Sequence, residues 1–309
     1  MKILYISTNK NNPPVEPLVD YQNDCLLIGL KELFGDDVVD YQRRDHLYTD
    51  FSVEEAKKQY GKGFTVTRVL EPDNADRTDI EKKIKNKFFD LVIYGSVSRC
   101  IDMVDLVLEH YPKNKIIFVD GDDNPKFNRA IKYGTPYFKR ELIWENNEEY
   151  QDYFGNVAPI SFAFPTSKVQ GPKEKTQLYA INDPRKPKSY VFENEQSYYE
   201  DYQKSKYAFT VKKAGWDCLR HYEIMANGCI PLFENFPQCP RYVMVKFPKA
   251  LITRIGFFYK SDFKYLENNY DYFLSEVMKH LNTYNTTKAM AENFIDEMNI
   301  YIKHSQSNK

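Results

Sequence analysis

Between Tyr207 and Phe236 the chain reads YAFTVKKAGWDCLRHYEIMANGCIPLFENF, and its reactive side chains are cations followed by carboxylates. Lys212 and Lys213 stand just before a helix start marked by Asp217, and Arg220 and Glu223 lie within the helix. The leading N–H groups of a helix lack internal partners, so with two lysines beside them they suit an anion such as a diphosphate. Glu223 is placed to accept hydrogen bonds from a diol such as ribose. In the first half, Asp120-Gly-Asp-Asp carries Asp120, Asp122 and Asp123 at the end of an apolar run, and Gly95, Ser96 and Arg99 end another. Aspartates at D-x-D spacing can hold a divalent cation against a diphosphate, face a substrate as a general base, or form a turn through bonds to their own backbone. Arg185, Lys186 and Lys188 form a basic loop after Gln177–Ile181, and Lys139 and Arg140 belong either near a cleft or on a solvated charged strand.

The elements that must position these groups follow from local pattern. Ala208–Val211 is a β-branched and aromatic run, Gly215 breaks it, and Asp217 is a residue type that caps helices. A helix over Cys218–Asn227 then ends at Gly228, and Cys229–Phe233 is a second buried strand. Arg220, Glu223 and Asn227 share one face of that helix, and Leu219, Tyr222 and Ala226 another. Such a strand-helix-strand unit places the Lys212–Asp217 loop at the carboxyl end of its sheet, where open α/β sheets bind ligands. The rest of the first half alternates strand and helix patterns. Met1–Ser7 reads as a first strand rather than a secretory leader, Asn9–Pro14 as a turn, and Leu18–Phe34 as a helix. Asp37–Tyr41, Phe64–Leu70, Leu91–Gly95 and Lys115–Asp120 are expected strands, with helices at Val53–Tyr60, Thr78–Phe88 and Ile101–Tyr111. After a polar, aperiodic stretch between Pro159 and Lys175, the second half adds a helix at Ser197–Lys206, a strand within Leu251–Tyr259, and helices at Phe263–Leu281 and Thr286–Ile302.

Glu223-Ile-Met-Ala-Asn-Gly-Cys-Ile-Pro resembles the E-x-M-A-x-G-x-P signature in the nucleotide-binding half of GT-B glycosyltransferases, and Gly228-Cys-Ile-Pro is similar to the exostosin-like version. The likeness is confined to the Tyr207–Phe236 stretch and is topological elsewhere. It implies two Rossmann-like domains facing across a cleft. Residues 1–165 would form the acceptor side, 166–285 the nucleotide-sugar side, and 286–309 a helix returning to the first domain. In the retaining members the matching glutamate holds the ribose and the helix start faces the diphosphate. The resemblance thus implies a donor site of Glu223 and Arg220, with Lys212, Lys213, Gly215, Trp216, Cys218 and Leu219 around the helix start. Arg185 and Lys186 would neutralise the leaving diphosphate, and Asp122 and Asp217 are the candidate catalytic carboxylates. Those enzymes often carry an earlier acid, and its position here is Gly215. The expected activity is sugar transfer from a nucleotide-diphosphate donor, with the nucleotide sugar as substrate and neither cofactor nor metal required. The acceptor is open among a glycan, a lipid-linked glycan, a protein and modified nucleic acid. Two alternatives stand beside it: a non-catalytic nucleotide or polyanion-binding module, and a metal-dependent transferase using Asp120 and Asp122.

Composition narrows the field. The 309 residues suit two domains, and 43 basic against 44 acidic residues leave a formal charge of −1, so no global basic character advertises nucleic acid. Tyr and Phe are abundant, at 25 and 21, enough for a large core with rings to spare for ligand surfaces. Five cysteines without a C-x-x-C pair argue against a disulfide framework or zinc knuckle. A reducing cytoplasm, a host's if the chain is viral, is the expected setting, and no stretch approaches a membrane span. The histidines show no ligand spacing, and His221 points away from Glu223 on the helix. No G-x-G-x-x-G follows the first strand, and G-x-S-x-G, H-E-x-x-H and P-loop motifs are missing.

Overall fold

Short apolar runs between turn residues make strands that can be buried on both faces, the condition for a parallel sheet. The computed structural model describes residues 1–7 and 19–307, and its first half is such a sheet. Strands β1 (Ile3–Ile6), β2 (Val38–Tyr41), β3 (Leu91–Tyr94), β4 (Ile116–Asp120), β5 (Tyr137–Lys139) and β6 (Val157–Pro159) pair in the order β2-β1-β3-β4-β5-β6, all parallel. Helices α1 (Tyr21–Phe34), α2 (Val53–Lys57), α3 (Ile80–Lys85) and α4 (Val104–His110) lie between the first four strands. A second parallel sheet, β7-β8-β9, comprises Gln177–Tyr179, Ser205–Thr210 and Ile230–Phe233, with α5 (Glu195–Lys204) and α6 (Leu219–Ala226) in the crossovers. The chain ends in α7 (Lys249–Ser261), α8 (Phe263–Asn268), α9 (Tyr270–His280) and α10 (Thr287–Ser307). The architecture is α/β and Rossmann-like. Among the described residues no helix is long and apolar enough to cross a membrane.

Alternation along the strands divides the core of the first sheet. Ile3, Tyr5, Ile93, Ile117 and Val119 pack with α1 and with Met290, Phe294 and Met298 of α10. Leu4, Ile6, Val92, Tyr94 and Phe118 pack on the other face, with Ile84 of α3 and Val107 of α4. The last helix therefore returns to the first sheet. Its approach needs Gly29, where an added Cβ would come within 2.0 Å of the Thr287 carbonyl oxygen. A third core gathers α5, α6, α7 and α9 around the second sheet.

Several expected elements form otherwise. Phe64–Leu70 is not a strand. Thr65 and Arg68 have positive φ, and their segment bonds irregularly to the His46–Leu47 backbone, with only a bridge from Tyr48 to Leu70. Leu251–Tyr259 lies inside helix α7, because Ile252 and Ile255, with Phe258 and Tyr259, repeat at helical rather than alternating spacing. The single helix expected over Phe263–Leu281 breaks at Asn269 into α8 and α9. Lys139, Arg140 and Glu141 are not a solvated strand, being 0%, 2% and 2% exposed. The turn expected at Asn9–Pro14 lies outside the described residues.

Candidate functional site

Helix α6 begins where strand β8 runs out, and the loop between them carries Lys212 to Cys218. Cys218 is the N-cap and makes no side-chain bond to the helix, so the leading N–H groups have no side-chain partner. Asp217 is therefore not the cap. Its Oδ2 accepts from the Phe162 N–H at 2.8 Å and its Oδ1 from the Tyr222 hydroxyl at 2.8 Å, and it is 1% exposed. Gly228 ends the helix as expected, at φ +64°.

The loop is suspended from the first sheet. Glu141 accepts from the Asp217 N–H at 2.9 Å, and Arg140 donates to the Asp217 carbonyl, pairs with Asp123 and Glu141, and lies 4.6 Å over the Phe162 ring. Gly215 passes through this knot. A Cβ there would lie 2.7 Å from Glu141 Oε1 and 2.9 Å from Asp123 Oδ1, so the position that the resemblance would fill with an acid is crowded by carboxylates from the β4 and β5 ends.

In front of α6 is a cavity of about 670 Å³, a volume within the range of small-molecule sites. Of the expected donor residues, Lys213, Gly215, Cys218, Leu219, Arg220 and Glu223 line it, and so does Asp217. Arg220 Nε and Nη1 are buried with no hydrogen-bond partner. Buried N–H groups without acceptors are costly; the phenols of Tyr190, Tyr198 and Tyr202 surround this half-buried side chain, and its charge is felt by Glu223. Glu223, 7% exposed, accepts from Thr65 through Oε1 and from Tyr198 through Oε2 at 2.7 Å. Burial pushes its pKa up, against the lowering effect of those two hydroxyls and of the Arg220 charge. Leu219 also packs into the core beneath the first sheet, so its contribution to a ligand is its backbone.

Other expected residues lie elsewhere. Lys212 is exposed and bonds to the Lys213 and Ala214 carbonyls. Trp216 packs toward Phe233, and Arg185 is held by Asp183 at 2.8 Å and Glu234 at 2.5 Å with its guanidinium 3.6 Å over Phe209. Lys186 is exposed beside Asp183. None of the four lines the cavity. Asp122 accepts from Ser98 at 2.9 Å, away from it, and burial with Asp120 nearby raises its pKa. Asp120 is enclosed, pairing with Lys139 at 2.8 Å and accepting from Tyr137. Ser96 and Arg99 both turn to Asp20. His221 is buried with both nitrogens engaged, Nδ1 to the Thr210 hydroxyl and Nε2 to the Trp216 carbonyl, and burial lowers its pKa to about 3. Among the described residues no cluster of three His, Cys, Asp or Glu side chains has metal-binding geometry.

The sequence reading missed the walls. Tyr21, Tyr60 and Phe64 come from the first half, and Tyr190, Phe192 and Tyr198 from the second; Asp123, named from the sequence, lines the cavity with them. Lys62 joins the two sides by donating to the Phe192 carbonyl at 2.8 Å and pairing with Glu193. Thr65, at φ +73°, a conformation that β-branched residues rarely adopt, is fixed by Glu195, Tyr199 and Glu223. Aromatic enrichment was the one sequence signal for these walls, and it carries no position.

Burial raises the Asp217 pKa to about 7 despite Arg140 and the Phe162 N–H. The folded chain therefore keeps a proton that the unfolded chain releases near its ordinary value of 3.8, so this contribution to stability is full below that value and is lost as pH rises through about 7. The Asp217 contribution to stability should therefore fall between about pH 4 and pH 7, by an amount on the order of a few kcal/mol, against the opposite contribution of His221, which stays neutral in the folded chain down to about pH 3. Asp217→Asn should flatten that fall in pH-dependent thermal denaturation; an unchanged profile would rule out Asp217 as its source.

No protein-family model matches this chain, and a search of curated proteins finds no match.

Proposed function

We propose that the chain is a glycosyltransferase that moves a sugar from a nucleotide-diphosphate donor to an acceptor, in a GT-B-like cleft between two Rossmann-like domains. The observation that carries this reading is Arg220, whose buried, unpartnered guanidinium nitrogens lie at the uncapped start of α6 in an aromatic-walled cavity. A diphosphate supplies the missing anion. Arg220 and the leading N–H groups would bind it, and since its negative charge grows as the sugar leaves, these fixed donors would favour the transition state over the ground state. Lys213 adds charge at the edge, and the tyrosine and phenylalanine walls offer faces for a base or sugar ring. Glu223 is the acceptor for ribose hydroxyls, in exchange for the hydroxyl of Thr65. Asp123, which lines the cavity and pairs with Arg140, would take the role expected of Asp122, which does not line it.

A non-catalytic nucleotide-binding module is the second reading, favoured by Gly215 in the acid's position and by Asp217 being enclosed. Isotope-labelled UDP, GDP, CDP and ADP sugars separate the two. Transfer or donor hydrolysis supports the enzyme, binding with neither supports the module, and no binding by any donor overturns both.

A further inference from the structure

The cavity holds an acceptor that the roles above leave unused. Asn182 follows β7, is 1% exposed, lines the cavity, and has no hydrogen-bond partner for its Oδ1. An amide has a donating and an accepting end, and which end faces the ligand decides what can bind. Here the neighbours fix it. Both Glu223 oxygens accept, so Tyr198 donates to Oε2 at 2.7 Å. The Tyr198 oxygen is then free to accept from Tyr202 at 3.0 Å, and the Tyr202 oxygen accepts from Asn182 Nδ2 at 2.9 Å. The bonds run one way, from the amide to the carboxylate, and leave the carbonyl end of Asn182, a residue of the cavity wall, without a donor. A buried acceptor without a donor carries a desolvation penalty that a matching ligand group removes.

We propose that Asn182 is a specificity-determining residue of this site, accepting a hydrogen bond from an N–H or O–H on the ring portion of the ligand. The cavity then selects molecules that join an anion, for Arg220, to a ring bearing a hydrogen-bond donor. This rests on the nucleotide-sugar reading for the anion, while the donor requirement follows from the amide itself. A base N–H and a sugar O–H share the required chemistry, and the probes below tell them apart.

The test is calorimetric titration of wild type and Asn182→Leu with UDP, GDP, CDP and ADP, with glucose 1-phosphate, and with inorganic pyrophosphate, which offers the anion without the ring. Asn182→Leu should weaken the best nucleoside diphosphate by about tenfold or more and leave pyrophosphate within about twofold. Nucleotide affinity that survives the substitution, or an equal loss for pyrophosphate, overturns the assignment. If no nucleoside diphosphate binds wild type, the nucleotide reading fails by itself. Asn182-dependent binding of glucose 1-phosphate would then keep the assignment with a hydroxyl as the donor, and its absence would end it. Unfolding midpoints accompany each titration, and Asn182→Ala replaces the leucine variant if that variant does not fold.

Discussion

Arg220→Met is expected to abolish most nucleotide binding while leaving the fold as stable as before, or more so. The two halves of that result have one cause. Arg220 Nε and Nη1 are buried without hydrogen-bond partners, so the unliganded chain carries the cost of two desolvated donors, offset only by the charge of Glu223. Methionine keeps an unbranched apolar stem and removes that cost. The ligand, however, loses its charge partner, and truncating one member of a buried, hydrogen-bonded charge pair costs about 2–5 kcal/mol, roughly 30-fold to several thousandfold in affinity. Calorimetry with the best-binding nucleoside diphosphate, beside urea denaturation, measures both. A guanidinium serving only the architecture would give the opposite pattern, with stability lost and affinity kept.

Asp120→Ala should destabilise the protein by about 3–5 kcal/mol. Lys139 is fully buried, and its ammonium lies 2.8 Å from Asp120 Oδ1, so removing the carboxylate strands a charge inside the sheet. Tyr137 loses its acceptor as well. Adding Lys139→Met should restore much of the loss, since apolar replacement of a whole buried pair is often neutral or favourable. Urea denaturation of the single and double variants decides the matter. If Asp120 instead offered its carboxylate to a metal or a substrate, Asp120→Ala would abolish activity and leave the unfolding transition nearly unmoved.

What could be read from the sequence followed the range of the forces involved. The β8-α6-β9 unit was legible because its signals are local: a β-branched run, a helical repeat of apolar positions, and Gly228, where a positive φ is needed. Lys139 and Arg140 could be read either as cleft residues or as a solvated charged strand, because their partners are distant in the chain. Arg140 reaches Asp217 and Asp123, and Lys139 reaches Asp120. The same distance hid the neutralisation of Arg185 by Glu234. The region around Thr65 misled in another way. Phe64 to Leu70 has strand-like composition, but its hydrogen-bonding groups serve turns and the acids of α5 and α6 rather than a ladder. Asn182 gave no signal, because an amide's importance depends on which of its ends is already engaged.

The suspension of the Gly215–Asp217 loop from Arg140 and Glu141 bears on how this molecule can change over generations. Grafting the second-sheet portion onto a foreign amino-terminal portion would leave that loop unanchored, since its two tethers belong to the first-sheet portion. Changes in what the cavity binds would therefore arise by drift of the residues around this tethered loop, rather than by wholesale shuffling of modules.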